Sequence, residues 1–240
     1  MSWEPAYGIL LASVILLSWI IAVLIEKCKS GIRTKKRMVA LFTVICMGLL
    51  LYFKYSNFAI DNLNKLLQLI RISKSINHFS IILPIGISFY SFQALAYVID
   101  VSRGKVKAEK NLLLYAAFIS FFPQLVAGPI ERADHFLNQF KQEHHFDYEK
   151  VKHYLLVMLW GFFMKIVVAD RIAIYVDTVY GNYEQYGGWL LILASVLFAF
   201  QIYCDFAGYS TIAIGAAGVM GFELMENFKS PYCAAGIRDF

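Results

Sequence analysis

Charge is scarce in this chain. Asp, Glu, Lys and Arg make up 16% of its 240 residues, against 59% hydrophobic residues and a mean hydropathy of +0.58. A soluble domain carries about 25% charged and roughly 45–50% apolar residues, so the deficit excludes an ordinary soluble fold and implies an integral membrane protein. Cysteine is also sparse. Cys28, Cys46, Cys204 and Cys233 are scattered without a Cys-x-x-Cys pair, which argues against structural disulfides and a zinc site. A Gly-x-Ser-x-Gly elbow, a Walker loop, a dinucleotide fingerprint and a convincing nucleophile–base pair are all missing from the sequence, so no familiar catalytic signature stands out. With no internal repeat and no Gly/Ser- or Pro-rich linker, residues 1–240 read as a single membrane domain.

The N-terminus lacks a signal peptide's charged opening. Met1 to Tyr7 hold Glu4 and no Lys or Arg, and the first apolar run is followed by the basic cluster Lys27, Lys29, Arg33, Lys35, Lys36 and Arg37. That order predicts a retained first helix with its N-terminus outside and residues 26–37 in the cytoplasm. The net charge of +5 is thereby explained by membrane topology, and no nucleic-acid partner is expected.

Apolar runs long enough to cross a bilayer, about 20 residues each, fall at 6–25, 38–53, 79–99, 154–169 and 189–206. Alternation places 54–78 outside, 100–153 inside, 170–188 outside and 207–240 inside. The 170–188 loop agrees, with Arg171 against Asp170, Asp177 and Glu184. The 54–78 loop does not, because it carries Lys54, Lys65, Arg71 and Lys74 against Asp61. Its Ile60, Leu63, Leu66, Leu67 and Ile70 recur at helical spacing, as in an amphipathic helix lying on the membrane surface. The polar stretch 131–153, with Phe136, Phe140 and Phe146 interspersed, suits interfacial helices. The expected class is therefore an all-α polytopic bundle with re-entrant or broken helices and interfacial ones.

Residues 112–130 carry the strongest local signal. An apolar run meets Pro123, Gln124, the Gly128-Pro129 pair and then Glu131-Arg132. Proline removes a backbone donor, so a helix should break at Pro123 and end before Pro129. Broken backbone at membrane depth survives only inside protein or beside a water-filled cavity. The stretch reads as a re-entrant element lining an interior; a proline-kinked spanning helix is the alternative.

Gln201, Asp205 and Tyr209 are spaced by four, which puts amide, carboxylate and phenol on one helical face. A carboxylate at membrane depth costs about 2.5–3.5 kcal/mol, so Asp205 is expected to face a cavity or partner, unless it only marks the helix's exit into the cytoplasm. Gly208, Ala213, Gly215, Ala216, Ala217, Gly218 and Gly221 suit close helix packing. Lys165 and Asp170-Arg171 read as snorkelling anchors, with a paired charge as the alternative. His135, His144, His145 and His153 lack a ligand spacing, and these four and His78 read as solvated surface, with no metal expected.

Five ordered stretches give the chain a family resemblance: Ile82 to Gln93, Phe121 to Phe136, Gly161 to Arg171, Asp205 to Ser210, and Glu226 to Tyr232. They resemble successive motifs of the membrane-bound O-acyltransferases, nearest the alginate O-acetylation branch, with teichoic-acid D-alanylation next. The resemblance implies broken and horizontal helices around a central funnel. It implies transfer of an acyl group from a cytoplasmic thioester (acetyl-CoA or an acyl-carrier protein, a donor substrate and not a bound cofactor) to an extracytoplasmic glycan, with help from an esterase-like partner. In the family, the segment resembling Gly236 to Phe240 leads into a stretch bearing the histidine regarded as catalytic. The 240 residues end before it, so no catalytic residue is carried over. The chain is expected to be the front half of such a protein, inactive alone. Candidates to line the acyl pathway are Pro123, Gln124, Glu131 and Arg132 from the broken stretch. Gln201, Asp205, Tyr209, Ser210 and Asn227 complete the set, with Asp205 or Asn227 able to orient the histidine. D-alanyl transfer, a membrane transporter and an inactive remnant are the competing readings.

Overall fold

The computed structural model describes residues 5–28, 31–70, 76–79, 83–125, 128–129, 131–228 and 231–236. Among these the elements are helical, with no strand. Among the described residues three helices are long and apolar enough to cross a membrane: Tyr7–Lys27, Ile32–Leu69 and Gly188–Val219. The chain forms two compact units, residues 1–120 with 132–137, and residues 121–131 with 138–240.

In the first unit, α1 (Pro5–Lys27) packs against α4 (Ile87–Ser102) and α5 (Leu112–Ile119), and α2 (Ile32–Leu50) also packs against α4. Its core is aromatic and cross-linked by hydrogen bonds. Tyr97 and Tyr115 have ring centroids 4.7 Å apart, and Phe118 contacts both Tyr115 and Phe136, the latter on the short α7 (Ala133–Gln139). The Tyr115 hydroxyl donates to Ser18 Oγ at 2.8 Å, and Ser18 donates to Val14 O at 2.7 Å. Trp19 Nε1 donates to Glu109 O (2.8 Å), while the Glu109 amide donates to the Tyr97 hydroxyl (2.7 Å). The hydroxyls of Ser18, Tyr97 and Tyr115 and the Trp19 indole N–H are thus answered inside the protein, as burial away from water demands, whereas the Tyr90 hydroxyl and Ser91 Oγ on α4 are buried without a hydrogen-bond partner among the described residues.

Several expected boundaries shift. The run expected at 38–53, followed by a separate surface helix, is one continuous helix over Ile32–Leu69. A π-helical turn at Leu51–Tyr55 carries α2 into α3 (Ser56–Leu69) without a break. Residues 76–79 return along α3: Asn57 and Asn64 each exchange two hydrogen bonds with the backbone of Phe79 and Ile76, and His78 Nε2 lies 2.7 Å from Asp61 Oδ1. The span expected at 79–99 is helical from Ile87 only; residues 80–82 lie outside the described set, and Pro84 and the left-handed Gly86 (φ 77°) precede the helix. A left-handed residue interrupts α-helical backbone and suits glycine.

In the second unit, α8 (Tyr148–Phe162), a π-helical stretch (Phe163–Ala169) and α9 (Asp170–Gly181) form continuous helix over 148–181, longer than the span expected at 154–169. It packs against α10 (Gly188–Val219). α10 runs 13 residues beyond the expected end at 206. At 1.5 Å per residue its 32 residues span about 48 Å, more than the ~30 Å hydrocarbon core of a bilayer.

Glycines set the α8–α10 contact. A Cβ built on Gly161 would lie 2.8 Å from Gly208 O and from Ile212 N, and one on Gly215 would lie 2.8 Å from Tyr154 O. On Gly218 it would fall 2.2 Å from the Tyr154 ring. Positions descend along α8 as they ascend along α10, so the pair is antiparallel. The small-residue run expected to serve helix packing does so through Gly208, Gly215 and Gly218, which with Ala213 and Ala217 are buried.

Candidate functional site

The 112–130 helix does break, three residues before the expected point. α5 ends at Ile119, capped by Ser120, and a short α6 (Phe122–Leu125) follows. Pro123 is the second residue of α6, where its missing N–H has no intrahelical partner to lose. Gln93 Nε2 donates to Phe118 O at 3.1 Å, answering one of the terminal carbonyls of α5 from a neighbouring helix. That is the internal compensation a broken helix needs in a dry environment. At the far side of α6 the Gly128 amide donates to Gln124 O (3.1 Å), and a Cβ at Gly128 would overlap Gln124 Cα at 2.3 Å. Positions 126, 127 and 130 lie outside the described residues.

Of the candidates from this stretch, Pro123 is half-buried, whereas Gln124 and Glu131 are each 2% exposed. Glu131 Oε1 accepts from the Met225 amide, so a buried carboxylate ties Glu131 to the segment after α10. Arg132 is exposed and belongs to the first unit. The post-α10 segment is held again by Gln139, whose Nε2 donates to Glu223 O (2.9 Å) while its Oε1 accepts from Glu223 N (2.7 Å). Asn227 Nδ2 donates to Ser210 Oγ at 3.3 Å. α6 itself packs on α10.

Removing the Gln139 amide should free this segment. Gln139→Ala deletes two hydrogen bonds to Glu223, each of which contributes about 1 kcal/mol. Amide exchange at Glu223 and Met225 is expected to quicken by roughly tenfold or more at that cost; unchanged protection there would show that Gln139 does not hold the segment.

The charged centre of the second unit is Lys165. Its Nζ lies 2.6 Å from Asp170 Oδ1 and 2.6 Å from Asp205 Oδ1, and 5.2 Å from the Tyr209 ring centroid. The snorkelling reading of Lys165 is corrected: it is paired. The reason is the π-helical register. In an α-helix, residues five apart point about 140° away from each other, but the stretch 163–169 has i→i+5 geometry, and the Asp170 amide bonds to Lys165 O. Five-apart side chains then fall together. Asp205 is not the helix's exit, since α10 continues to Val219. Gln201, one turn earlier, is half-buried, and its Oε1 is shielded without a hydrogen-bond partner among the described residues.

The backbone contact at Gly208 makes the pairing possible. A Cβ there would meet Lys165 N at 3.1 Å, so α10 approaches the π segment one turn beyond Asp205. Beside the pair, Met164, Ala169, Cys204 and Ala207 form a packed apolar cluster with Tyr203 and Phe228. The structure thus gathers Asp205 and Tyr209 around Lys165, and Ser210 with Asn227. Sequence reasoning leaves Lys165, Asp170 and Gln139 out of the candidate set. The Gly161–Arg171 motif contains the first two; nothing in the sequence singles out the third.

The histidines are dispersed. His144 Nε2 donates to Gln139 O at 2.9 Å and the ring packs on Phe222, and His153 packs on Tyr154. Among the described residues no three His, Cys, Asp or Glu side chains are placed to hold a metal ion.

The profile of the membrane-bound O-acyltransferase family matches residues 107–235, which include the broken helix, the Lys165 cluster and the segment after α10. The chain belongs to the membrane-bound O-acyltransferase family. Over 216 residues it is 39% identical to a Pseudomonas putida protein named "Probable alginate O-acetylase AlgI", a match covering 88% of this chain and 43% of the relative. The protein of that name from Pseudomonas aeruginosa is 36% identical over 99% of this chain and 45% of its own length. A Helicobacter pylori peptidoglycan O-acetyltransferase is 30% identical over 99% of this chain and 49% of its own. The chain spans somewhat under half the length of these relatives.

Proposed function

We propose that the protein acts as an O-acyltransferase of the cytoplasmic membrane, carrying an acetyl group from a thioester donor inside the cell toward a polysaccharide outside. The donor is acetyl-coenzyme A or an acylated carrier protein, bound as substrate. The observation that carries this reading is the broken helix 112–125 with its buried Gln124 and Glu131, inside the stretch matched by an acyltransferase family profile. Polar groups buried at membrane depth suit a shielded path for a thioester. In the reaction the acceptor hydroxyl oxygen attacks the acyl carbon, the C–S bond breaks, the ester C–O bond forms, and the hydroxyl proton ends on the departing thiol. No residue of 1–240 is assigned as the base that moves that proton.

In this reading the chain is multi-pass, with its N-terminus outside and residues 26–37 in the cytoplasm, and it hands the acyl group to a glycan with an esterase-like partner. Pro123, Gln124, Glu131 and Arg132 line the pathway from one side of the sequence, and Gln201, Asp205, Tyr209, Ser210 and Asn227 from the other. O-acetyl transfer is favoured over D-alanyl transfer to teichoic acid because relatives named for the latter share less identity with this chain.

The test starts from the native gene. Its deletion is expected to remove ester-linked acetate from the cell-surface glycan, and the wild-type gene to restore it. Ester-linked D-alanine lost in its place would turn the assignment to the D-alanyl branch. Asp205→Asn is expected to lower acetylation about tenfold or more, the effect of ~1.4 kcal/mol on the barrier. The variant should stay at normal abundance in the membrane, because Lys165 keeps Asp170 as partner. Full acetylation by the variant would remove Asp205 from the pathway.

A further inference from the structure

We propose that the first unit carries a binding site for the phosphate headgroup of an anionic phospholipid, separate from the acyl pathway and independent of the acyltransferase reading. The site is a cavity of about 610 Å³ between the first turns of α2 and the last turn of α4. Three cations border it: Lys35 and Lys36 from α2 and Arg103 from the end of α4. Its apolar part is formed by Val39, Ala40 and Ile99. Among the described residues none of the three cations is paired with a carboxylate.

The backbone holds this arrangement in place. α4 ends with Gly104 in the left-handed conformation (φ 70°). The Gly104 amide donates to Val101 O and the Lys105 amide to Asp100 O, both at 3.0 Å. These are the paired bonds of a Schellman ending, in which the residue at Gly104 must adopt positive φ. The turn fixes Arg103 at the cavity's edge. On the other wall, Lys35 and Lys36 lie in the first turns of α2, where the helix's free amides add further positive potential.

The chemistry selects an amphiphilic anion. Three basic groups with no internal counter-charge favour phosphate, which lysine and arginine bind by charge-assisted hydrogen bonds. The apolar wall beside them would be wasted on a fully hydrated ion. It continues along α2: Val44, one turn beyond Ala40, is 68% exposed, and Leu41 is 60% exposed. An acyl chain leaving the cavity would run along that surface. Basic pockets between membrane helices on the cytoplasmic side bind anionic headgroups in this manner, and Lys35 and Lys36 belong to the basic cluster that the positive-inside rule assigns to that side.

Phosphate esters also occur in soluble donors such as coenzyme A, so the experiment separates the two sources. The purified protein is titrated in neutral detergent with phosphatidylglycerol, phosphatidylcholine, coenzyme A or inorganic phosphate, and thermal unfolding is recorded. Phosphatidylglycerol is expected to raise the midpoint saturably, while phosphatidylcholine and inorganic phosphate leave it unchanged. The double variant Lys36→Gln/Arg103→Gln should bind phosphatidylglycerol about thirtyfold more weakly, roughly five- to sixfold per cation lost. Gly104→Val, which opposes the turn without touching a charge, should weaken it as well. Equal stabilisation by both phospholipids, or full phosphatidylglycerol binding by the double variant, overturns the site. Saturation by coenzyme A, lost in the double variant, overturns the lipid assignment.

Discussion

Replacing Gly161 by alanine is expected to destabilise the protein, although alanine is the better helix former by about 1 kcal/mol. The added methyl would lie 2.8 Å from Gly208 O and from Ile212 N. Both are backbone atoms of α10, so no side chain can swing aside, and one helix must move. Overpacking of this kind costs about 1–3 kcal/mol and sometimes more, which outweighs the propensity gain. Gly48→Ala provides the matched comparison, because Gly48 is also helical but a Cβ there meets nothing within 4 Å. It should be neutral or stabilising by up to about 1 kcal/mol. Gly218→Ala is an intermediate case: its methyl meets the Tyr154 ring at 2.2 Å, a side chain that can be cut back. Tyr154→Ala added to Gly218→Ala should therefore recover part of the loss, whereas no single side-chain truncation should rescue Gly161→Ala. Thermal unfolding in detergent orders the three variants. Gly161→Ala and Gly48→Ala with the same midpoint would mean that α8 and α10 do not meet at these glycines.

Much of this architecture is legible in the sequence, and the misses share a cause. The apolar runs at 6–25, 38–53 and 189–206 announce the three described helices long and apolar enough to cross a membrane, because burial in lipid requires unbroken hydrophobicity; the runs at 79–99 and 154–169 have no counterpart among those three. Their ends are harder to read. Asp205 looks like the end of a span, but the small apolar residues after it extend α10 to Val219, and Lys165 answers the carboxylate from another helix. Lys54 similarly suggests a loop, yet a π-helical turn carries the chain through to α3. The break near Pro123 is legible as a break, but its position is not. Proline is harmless in a first turn, so the helix can end earlier and restart. Lys165 is misread by periodicity itself, since a 3.6-residue template separates it from Asp170, and the register that joins them is a local departure from that template. Gln93 and Gln139 are illegible for another reason: their partners, Phe118 and Glu223, lie 25 and 84 residues away. By contrast Asn57, Asp61 and Asn64 sit at i, i+4 and i+7 on one face of α3, a polar stripe that helical spacing alone could have flagged as a contact surface for the 76–79 segment.

Lys165→Met should cost more than the loss of one ion pair. Both carboxylates lie 2.6 Å from the same Nζ, so removing the cation leaves two anions facing each other with their shared counter-charge gone. An uncompensated charge deep in a protein costs about 3–5 kcal/mol, whereas exposed pairs contribute under about 1 kcal/mol. The side chains here are 21%, 48% and 45% exposed for Lys165, Asp170 and Asp205, which places the expected loss between these limits, at about 1–3 kcal/mol. The diagnostic lies in the second substitution. In the wild-type background Asp205→Asn removes one attraction to Lys165 and is expected to destabilise slightly. In the Lys165→Met background the same change removes a repulsion from Asp170 and is expected to stabilise. A double-mutant cycle reads this reversal of sign directly. If Asp205→Asn has the same effect in both backgrounds, the lysine and aspartate are energetically independent, and Lys165 is no longer what holds the carboxylate of α10 in place. If the sign reverses, the same variants separate folding from turnover. On the acyl pathway proposed above, Lys165→Met/Asp205→Asn, partly restored in stability but lacking both charges, should still fail to acetylate surface glycan; full acetylation by it would take the Asp205 carboxylate out of that proposal.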